Sequence, residues 1–226
     1  FMHATDILQG APEEVLALLA REAEGMQRKA FTDRWERAFD RAAAVRRSFR
    51  PDYSQLAAVK AFHEKMQAEE IDGELFYANS SAVRLGNIFS NQYLYVNRGV
   101  NGIEGTLSTA VGYALARQDE EDVYCVIGDL SFFYDQNALW NEQLPPNLSI
   151  LLLNNGGGGI FRQLPGLERS PYRDSAIAAG HTASAEGICQ AYGLVYLSAR
   201  NGQELSRALD SFFHAEEGPV LLEVFT

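Results

Sequence analysis

A chain of 226 residues is long enough for one large domain, or for one domain with a piece of another. Its 46% hydrophobic and 22% charged residues are the make-up of an ordinary globular chain, and a net charge of −11 excludes non-specific nucleic-acid binding, because a phosphate backbone would be repelled. No run approaches the about 18 apolar residues of a membrane-spanning helix, and no signal peptide opens the chain, so no transmembrane segment is expected.

Phe1-Met2-His3-Ala4 reads as the interior of a longer sequence, and a fragment is expected. Residues 11–25 predict a helix: Pro12 suits the first turn, acidic residues follow, and Gly25 can end it. Residues 27–49 continue helically, with Phe31, Trp35 and Phe39 on one stripe. Positions 28–50 hold eight Lys or Arg against three Asp or Glu, so this piece carries +5 and the remainder −16. A solvated helix whose aromatic stripe packs on a neighbour explains it better than an anion-binding surface. Arg50-Pro51-Asp52-Tyr53 marks a boundary that divides 1–50 from 51–226.

Beyond the boundary, a helix over 54–69 leads to a strand over 74–78, which ends in Asn79-Ser80-Ser81; a helix carrying Arg84 follows. A strand over 93–97 ends in Arg98-Gly99, and Gly102-Ile103-Glu104-Gly105 opens a helix over 106–117. Arginines at two strand ends suit carboxylate ligands, which guanidinium pairs with bidentately, although a surface ion pair is the plain alternative for each. Glycines 99, 102 and 105 do not make a dinucleotide fingerprint.

An apolar run from Val123 to Ile127 ends in Gly128-Asp129, and a second from Ser149 to Leu153 ends in Asn154-Asn155 and four glycines. Both read as strands buried on two faces, joined by a helix of about three turns. A crossover of that kind makes the strands parallel, and Asp129 and Asn155 then share the carboxyl edge where open α/β sheets bind ligands. A carboxylate and an amide carbonyl are hard oxygen donors suited to Mg²⁺, while glycines let carbonyls reach a metal and N–H groups a phosphate. The pair predicts a metal–diphosphate site. Cys125, inside the first strand, reads as a buried inert thiol; neither it nor Cys189 has paired spacing, and the four histidines (His3, His63, His181, His214) make no metal-ligand pattern. A reducing cytoplasm fits.

After a loop rich in Pro, Gly and Arg over 165–175 come a helix over 183–192, a strand over 194–198, a helix over 202–215 and a last strand over 219–225. The alternation predicts an α/β fold: a doubly wound, mainly parallel sheet of six strands with helices on both faces.

Gly128-Asp129 followed by Asn154-Asn155 resembles the motif of the thiamine-diphosphate-dependent decarboxylases and synthases. GDLSFFYDQNALWN, with Leu130 where most relatives have a second glycine, NNGGGGIFRQLP and NRGVNGIEGTLSTAVGYA narrow the resemblance. They are similar to the 2-succinyl-5-enolpyruvyl-6-hydroxy-3-cyclohexene-1-carboxylate synthase family of menaquinone biosynthesis. The likeness is dense from about Asn79 to Leu164. It implies thiamine diphosphate and Mg²⁺ as cofactors, the metal held by Asp129, Asn155 and the carbonyl of Gly157. Asn79, Ser80, Gly102, Ile103, Gly128, Leu130, Ser131, Gly157 and Gly158 would meet the cofactor, with Ile103 as the apolar wedge beneath it. Arg84 and Arg98 would hold substrate carboxylates, and Ile160, Phe161 and Leu164 would wall the substrate. Gly156 and Gly159 depart from the polar residues commoner in that loop.

The implied reaction decarboxylates 2-oxoglutarate and adds the succinyl unit to isochorismate. By the same resemblance, residues 1–50 would be the tail of a middle domain with its linker, and 51–226 the pyrophosphate-binding domain. Missing N-terminal domains and a second subunit of a homodimer or homotetramer would complete the site and supply an activating glutamate, so the piece alone is expected to be inactive. Two other readings stand beside this one: another thiamine-diphosphate-dependent 2-oxo-acid decarboxylase or carboligase, and a non-catalytic Rossmann-like module. A pair of arginines suits a dicarboxylate better than pyruvate, and Mg²⁺-dependent stabilisation by the cofactor would exclude the module.

Overall fold

The computed structural model describes residues 5–26, 29–117, 121–215 and 218–226, and the chain divides into two compact units, Phe1–Phe49 and Arg50–Thr226. In the first, α1 runs Pro12–Glu22 with Pro12 in its first turn and Glu13 and Glu14 beside it, where acidic groups complement the helix dipole. Helix α2 runs Lys29–Ser48; positions 27–28, which open the predicted helix, lie outside the described residues. Phe31 packs edge-on to Trp35 at 6.4 Å and Trp35 lies 5.8 Å from Phe39, as the helical spacing requires.

The second unit is a six-stranded sheet, every pairing parallel. Helix α3 (Gln55–Ala68) starts on Ser54, whose hydroxyl accepts the Ala57 N–H. Strand β1 (Glu74–Tyr77), α4 (Ser81–Phe89), β2 (Leu94–Tyr95), α5 (Thr106–Ala116), β3 (Val123–Gly128) and α6 (Asp129–Asp135) follow. Then come β4 (Leu148–Asn154), the single turn α7 (Ile160–Gln163), α8 (Glu186–Tyr192), β5 (Val195–Ala199), α9 (Gly202–Phe213) and β6 (Val220–Phe225).

The helix expected over 183–192 starts only at Glu186, and two further elements are shorter than their patterns suggest. The strand expected over 93–97 pairs only at Leu94 and Tyr95, because it is a sheet edge and its chain leaves to feed the Asn97–Gly105 loop. The helix expected between β3 and β4 ends at Asp135 and tightens into a 3₁₀ turn, Gln136–Leu139. Asp135 explains the stop: its carboxylate turns to accept the Ser108 N–H at 2.9 Å and the Ser108 hydroxyl, satisfying an orphan donor in the first turn of α5. The predicted loop over 165–175 contains a 3₁₀ turn, Leu167–Arg169, and runs into a π turn, Arg173–Ile177.

Strand order is β2-β1-β3-β4-β6-β5. The chain winds outward from β1 to β2, then returns to lay β3 on the other side of β1, so the direction of winding reverses between β1 and β3. The core lies on both faces of β3 and β4, where Val123 to Ile127 and Ile150 to Leu153 are buried. Phe62 of α3, Tyr124 of β3 and Phe212 and Phe213 of α9 close one face as an aromatic cluster. Cys125 and Cys189 are free and buried. Burial pushes both thiols up, Cys189 to about 12, so neither is a thiolate at neutral pH.

Candidate functional site

A cleft of about 160 Å³ opens at the carboxyl edge of the sheet, over the ends of β1, β3 and β4. This is the crevice beside the winding reversal, the position that open α/β sheets give to their ligands. Each strand delivers its site residues as it ends: Asn79 and Ser80 after β1, Gly128 and Asp129 at β3, Asn155 after β4.

Asp129 is buried at the first position of α6. Its Oδ1 accepts the Leu130 N–H at 2.7 Å, and its Oδ2 accepts the N–H groups of Asn155 at 3.2 Å and Gly157 at 2.9 Å. The carboxylate therefore stitches β3 to the turn that leaves β4. One terminal atom of the Asn155 amide lies 3.2 Å from Asp129 Oδ2 and 2.6 Å from the Gly157 carbonyl. With the amide nitrogen there, both oxygens receive a hydrogen bond. With the amide oxygen there, three oxygens converge, an arrangement stable only around a cation. A carboxylate, an amide carbonyl and a main-chain carbonyl form the hard donor set that Mg²⁺ and Ca²⁺ take. Among the described residues there is no group of three or more His, Cys, Asp or Glu side chains that could hold a metal, so the mixed set is the candidate.

Glycine geometry makes this approach possible. Gly156 and Gly157 have φ of +70° and +146°, values that residues with a Cβ rarely adopt. A Cβ on Gly157 would lie 2.7 Å from the Ala178 carbonyl, and one on Gly159 would lie 2.8 Å from the Asn155 amide nitrogen. The absent side chain at Gly159, an apparent departure in the sequence, is the space in which the Asn155 amide turns. Of the loop N–H groups expected to face a phosphate, that of Gly157 bonds Asp129 and that of Gly158 bonds the Ala178 carbonyl at 2.6 Å. Their contribution to the cleft is Cα surface and carbonyl oxygen.

Leu130, Ser131, Ile103, Gly158, Ile160 and Phe161 line the same cleft. Gly102 adjoins it: its carbonyl accepts a short hydrogen bond from Asn79 Nδ2. The Asn79 amide also donates to the Asn97 carbonyl at 2.7 Å and accepts from Arg98 Nη1 at 3.1 Å, so it braces the loop after β2. Arg84, Arg98 and Leu164 are exposed and outside the cleft lining, and Glu104 is exposed beside Gly102. Ser80 holds φ +74° and ψ −129°, a strained conformation for a residue with a Cβ, at the floor of the cleft.

Three participants are invisible to a linear reading. Gln55, in the first turn of α3, reaches the lining from far up the chain. Gly159 acts through what it lacks. His181 brings Nε2 to 3.3 Å from Asp129 Oδ2, and its ring packs edge-on to Phe133.

Residues 79–224 match the family described as "Thiamine pyrophosphate enzyme, C-terminal TPP binding domain". Proteins named 2-succinyl-5-enolpyruvyl-6-hydroxy-3-cyclohexene-1-carboxylate synthase are similar over most of the chain. The Bacteroides thetaiotaomicron protein is 46% identical over 179 residues, 77% of this chain and 31% of its own. The Bacteroides fragilis protein is 45% identical over 179 residues with the same coverage, and that of Christiangramia forsetii 40% over 177, covering 77% and 30%. The chain thus spans about a third of the length of these curated relatives. With its parallel sheet, its edge cleft and this match in agreement, the chain belongs to the thiamine pyrophosphate enzymes, as their C-terminal cofactor-binding domain.

Proposed function

We propose that the chain is the C-terminal part of a 2-succinyl-5-enolpyruvyl-6-hydroxy-3-cyclohexene-1-carboxylate synthase. It is read as a cytoplasmic transferase of menaquinone biosynthesis that joins a succinyl unit from 2-oxoglutarate to isochorismate. The names of its relatives support that activity, and the absence of any helix long and apolar enough to cross a membrane among the described residues is compatible with the compartment. In this reading, residues 1–50 are the tail of a middle domain with its linker, and a second subunit of a homodimer or homotetramer contributes the activating glutamate.

The observation that carries the proposal is the convergence of Asp129, the Asn155 amide and the Gly157 carbonyl on one point. Mg²⁺ would be held by these three oxygens. Thiamine diphosphate supplies the electron sink for decarboxylation. The chain's own residues would bind and orient it: Leu130 and Ser131, in the cleft lining at the first turn of α6, would meet the diphosphate, and Ile103 would support the cofactor as an apolar wedge. Ile160 and Phe161 keep water from the reacting face. Arg84 and Arg98 present cations to substrate carboxylates, with Arg98 steadied by Asn79. Two cations rather than one favour a dicarboxylate over a pyruvate-type substrate.

Thermal melting of the full-length protein tests the core of this reading. Thiamine diphosphate with Mg²⁺ is expected to raise the wild-type Tm and to leave that of Asp129→Ala unmoved. A Tm rise in Asp129→Ala equal to that of wild type would overturn the metal assignment. Turnover with pyruvate but not 2-oxoglutarate would overturn the substrate.

A further inference from the structure

Outside the residues that line the cleft, one buried polar cluster is aimed at it. Glu223, in the middle of β6, is fully buried and carries no salt-bridge partner among the described residues. Its carboxylate is instead surrounded by donors. Asn154 Nδ2 reaches Oε1 at 2.7 Å, and the Ser184 and Tyr196 hydroxyls each reach Oε2 at 2.7 Å. The Ala185 N–H approaches both oxygens, at 3.3 and 3.1 Å. A buried carboxyl group with this many donors fixes their positions relative to one another.

Apart from Tyr196, which stands on β5, those donors belong to the two segments that shape the metal loop. Asn154 immediately precedes Asn155; its Oδ1 accepts the Gly156 N–H at 3.0 Å and its Nδ2 also donates to the Ala183 carbonyl at 2.9 Å. Ser184 and Ala185 end the irregular segment 178–185, which is tied to the glycine loop through Gly158 N–H to Ala178 O and His181 N–H to Gly156 O at 3.1 Å. The same segment carries His181. The Ala183 N–H donates to His181 Nδ1 at 3.1 Å, which leaves the ring proton on Nε2. Nε2 is buried with no hydrogen-bond partner of good geometry, and the group it faces, at 3.3 Å, is Asp129 Oδ2. The separation is already that of a hydrogen bond, and a small rotation of the ring would align it.

We infer that His181 is a positioning residue for Asp129, donating from Nε2 to the carboxylate, and that Glu223 holds the 178–185 segment and Asn154 so that this donor stays in place. The inference rests on the reading of Asp129 as a metal ligand. Outer partners of this kind orient a ligand, and losing one weakens metal binding by about 10- to 100-fold.

The test is a Mg²⁺ titration of the full-length synthase at saturating thiamine diphosphate, read by calorimetry or tryptophan fluorescence, with Tm recorded without ligand. His181→Ala and His181→Asn are expected to weaken Mg²⁺ binding by about 10-fold or more, because neither offers an N–H at the reach of Nε2. His181→Gln carries such an N–H and is expected to stay within a few-fold of wild type. Ser184→Ala and Tyr196→Phe each remove one donor to Glu223 while keeping the fold, and a smaller weakening of the same sign is expected. If His181→Ala lowers the Tm but binds Mg²⁺ as tightly as wild type, the positioning role is overturned. If wild type itself takes up no Mg²⁺ with the cofactor, the reading of the cleft fails and this inference goes with it.

Discussion

Ser80 combines a strained backbone with a place on the floor of the cleft. Its φ of +74° with ψ −129° lies where a Cβ meets its own backbone, at a cost of about 1–3 kcal/mol. The strain is maintained because β1 must end there, turn sharply and begin α4 at Ser81 while Asn79 stays buried beneath the loop after β2. Ser80→Gly is therefore expected to stabilise the protein by about 1 kcal/mol, read as a rise in the urea midpoint at unchanged slope. A loss of stability would show that the Ser80 side chain, and not its backbone, governs the turn. The placing of Asp129 and Asn155 at one sheet edge was legible in the sequence because each is separated from the end of an apolar run by a single residue. That of His181 was not. Its relation to Asp129 depends on a long excursion of chain returning to the same edge, which leaves no local periodicity.

At the scale of elements, the loop leaving β4 and the segment 178–185 form one unit held by main-chain bonds. Gly157 is its tightest point, with φ +146° and only 2.7 Å between a hypothetical Cβ and the Ala178 carbonyl, both of them backbone constraints that no side-chain rotation relieves. Gly157→Ala is expected to destabilise the protein by about 2 kcal/mol or more and to abolish Mg²⁺-dependent cofactor binding, since the carbonyl it moves is one of the three groups proposed to hold the ion. Calorimetry alongside a denaturation curve checks both parts; full binding with an unchanged midpoint would contradict the assignment. The order of the six strands and of the longer helices was legible because β3 and β4 are long apolar runs and helical and strand patterns alternate after them, whereas α7 and the turns over 167–177 were not. Lengths were less so. The stop of α6 is set by Asp135 reaching across to Ser108, and the brevity of β2 by its place at the edge, both tertiary facts.

For the molecule as a whole, pH dependence follows from one buried histidine joining α3 to β1. His63 Nε2 meets the Tyr77 hydroxyl at 2.7 Å, and burial pushes the imidazole down to about 4. Unfolded, the ring binds a proton near its ordinary value of about 6.5, so between these values the unfolded state holds more protons. The stability contributed by neutral His63 is thus complete above pH 6.5 and is lost as pH falls through the window to 4, by about 3 kcal/mol. His63→Gln is expected to flatten that part of the profile, seen as a smaller drop in urea midpoint between pH 7 and pH 4.5 than wild type shows. An identical drop in both proteins would assign the acid sensitivity to carboxylates instead.

The sheet contains no hairpin, and this has a consequence for how the protein comes into being. Every strand pair closes a long excursion of chain, the longest joining Ser149 to Val220 and its neighbours. Such non-local pairings form slowly, after much loop entropy has been lost. Because the corner proposed to hold Mg²⁺ draws on Asp129, on the turn after Asn154 and on a segment pinned to Glu223 in β6, it takes shape only after β6 has joined the sheet. A nascent chain stalled short of β6 would possess all three oxygen donors and still fail to gather them.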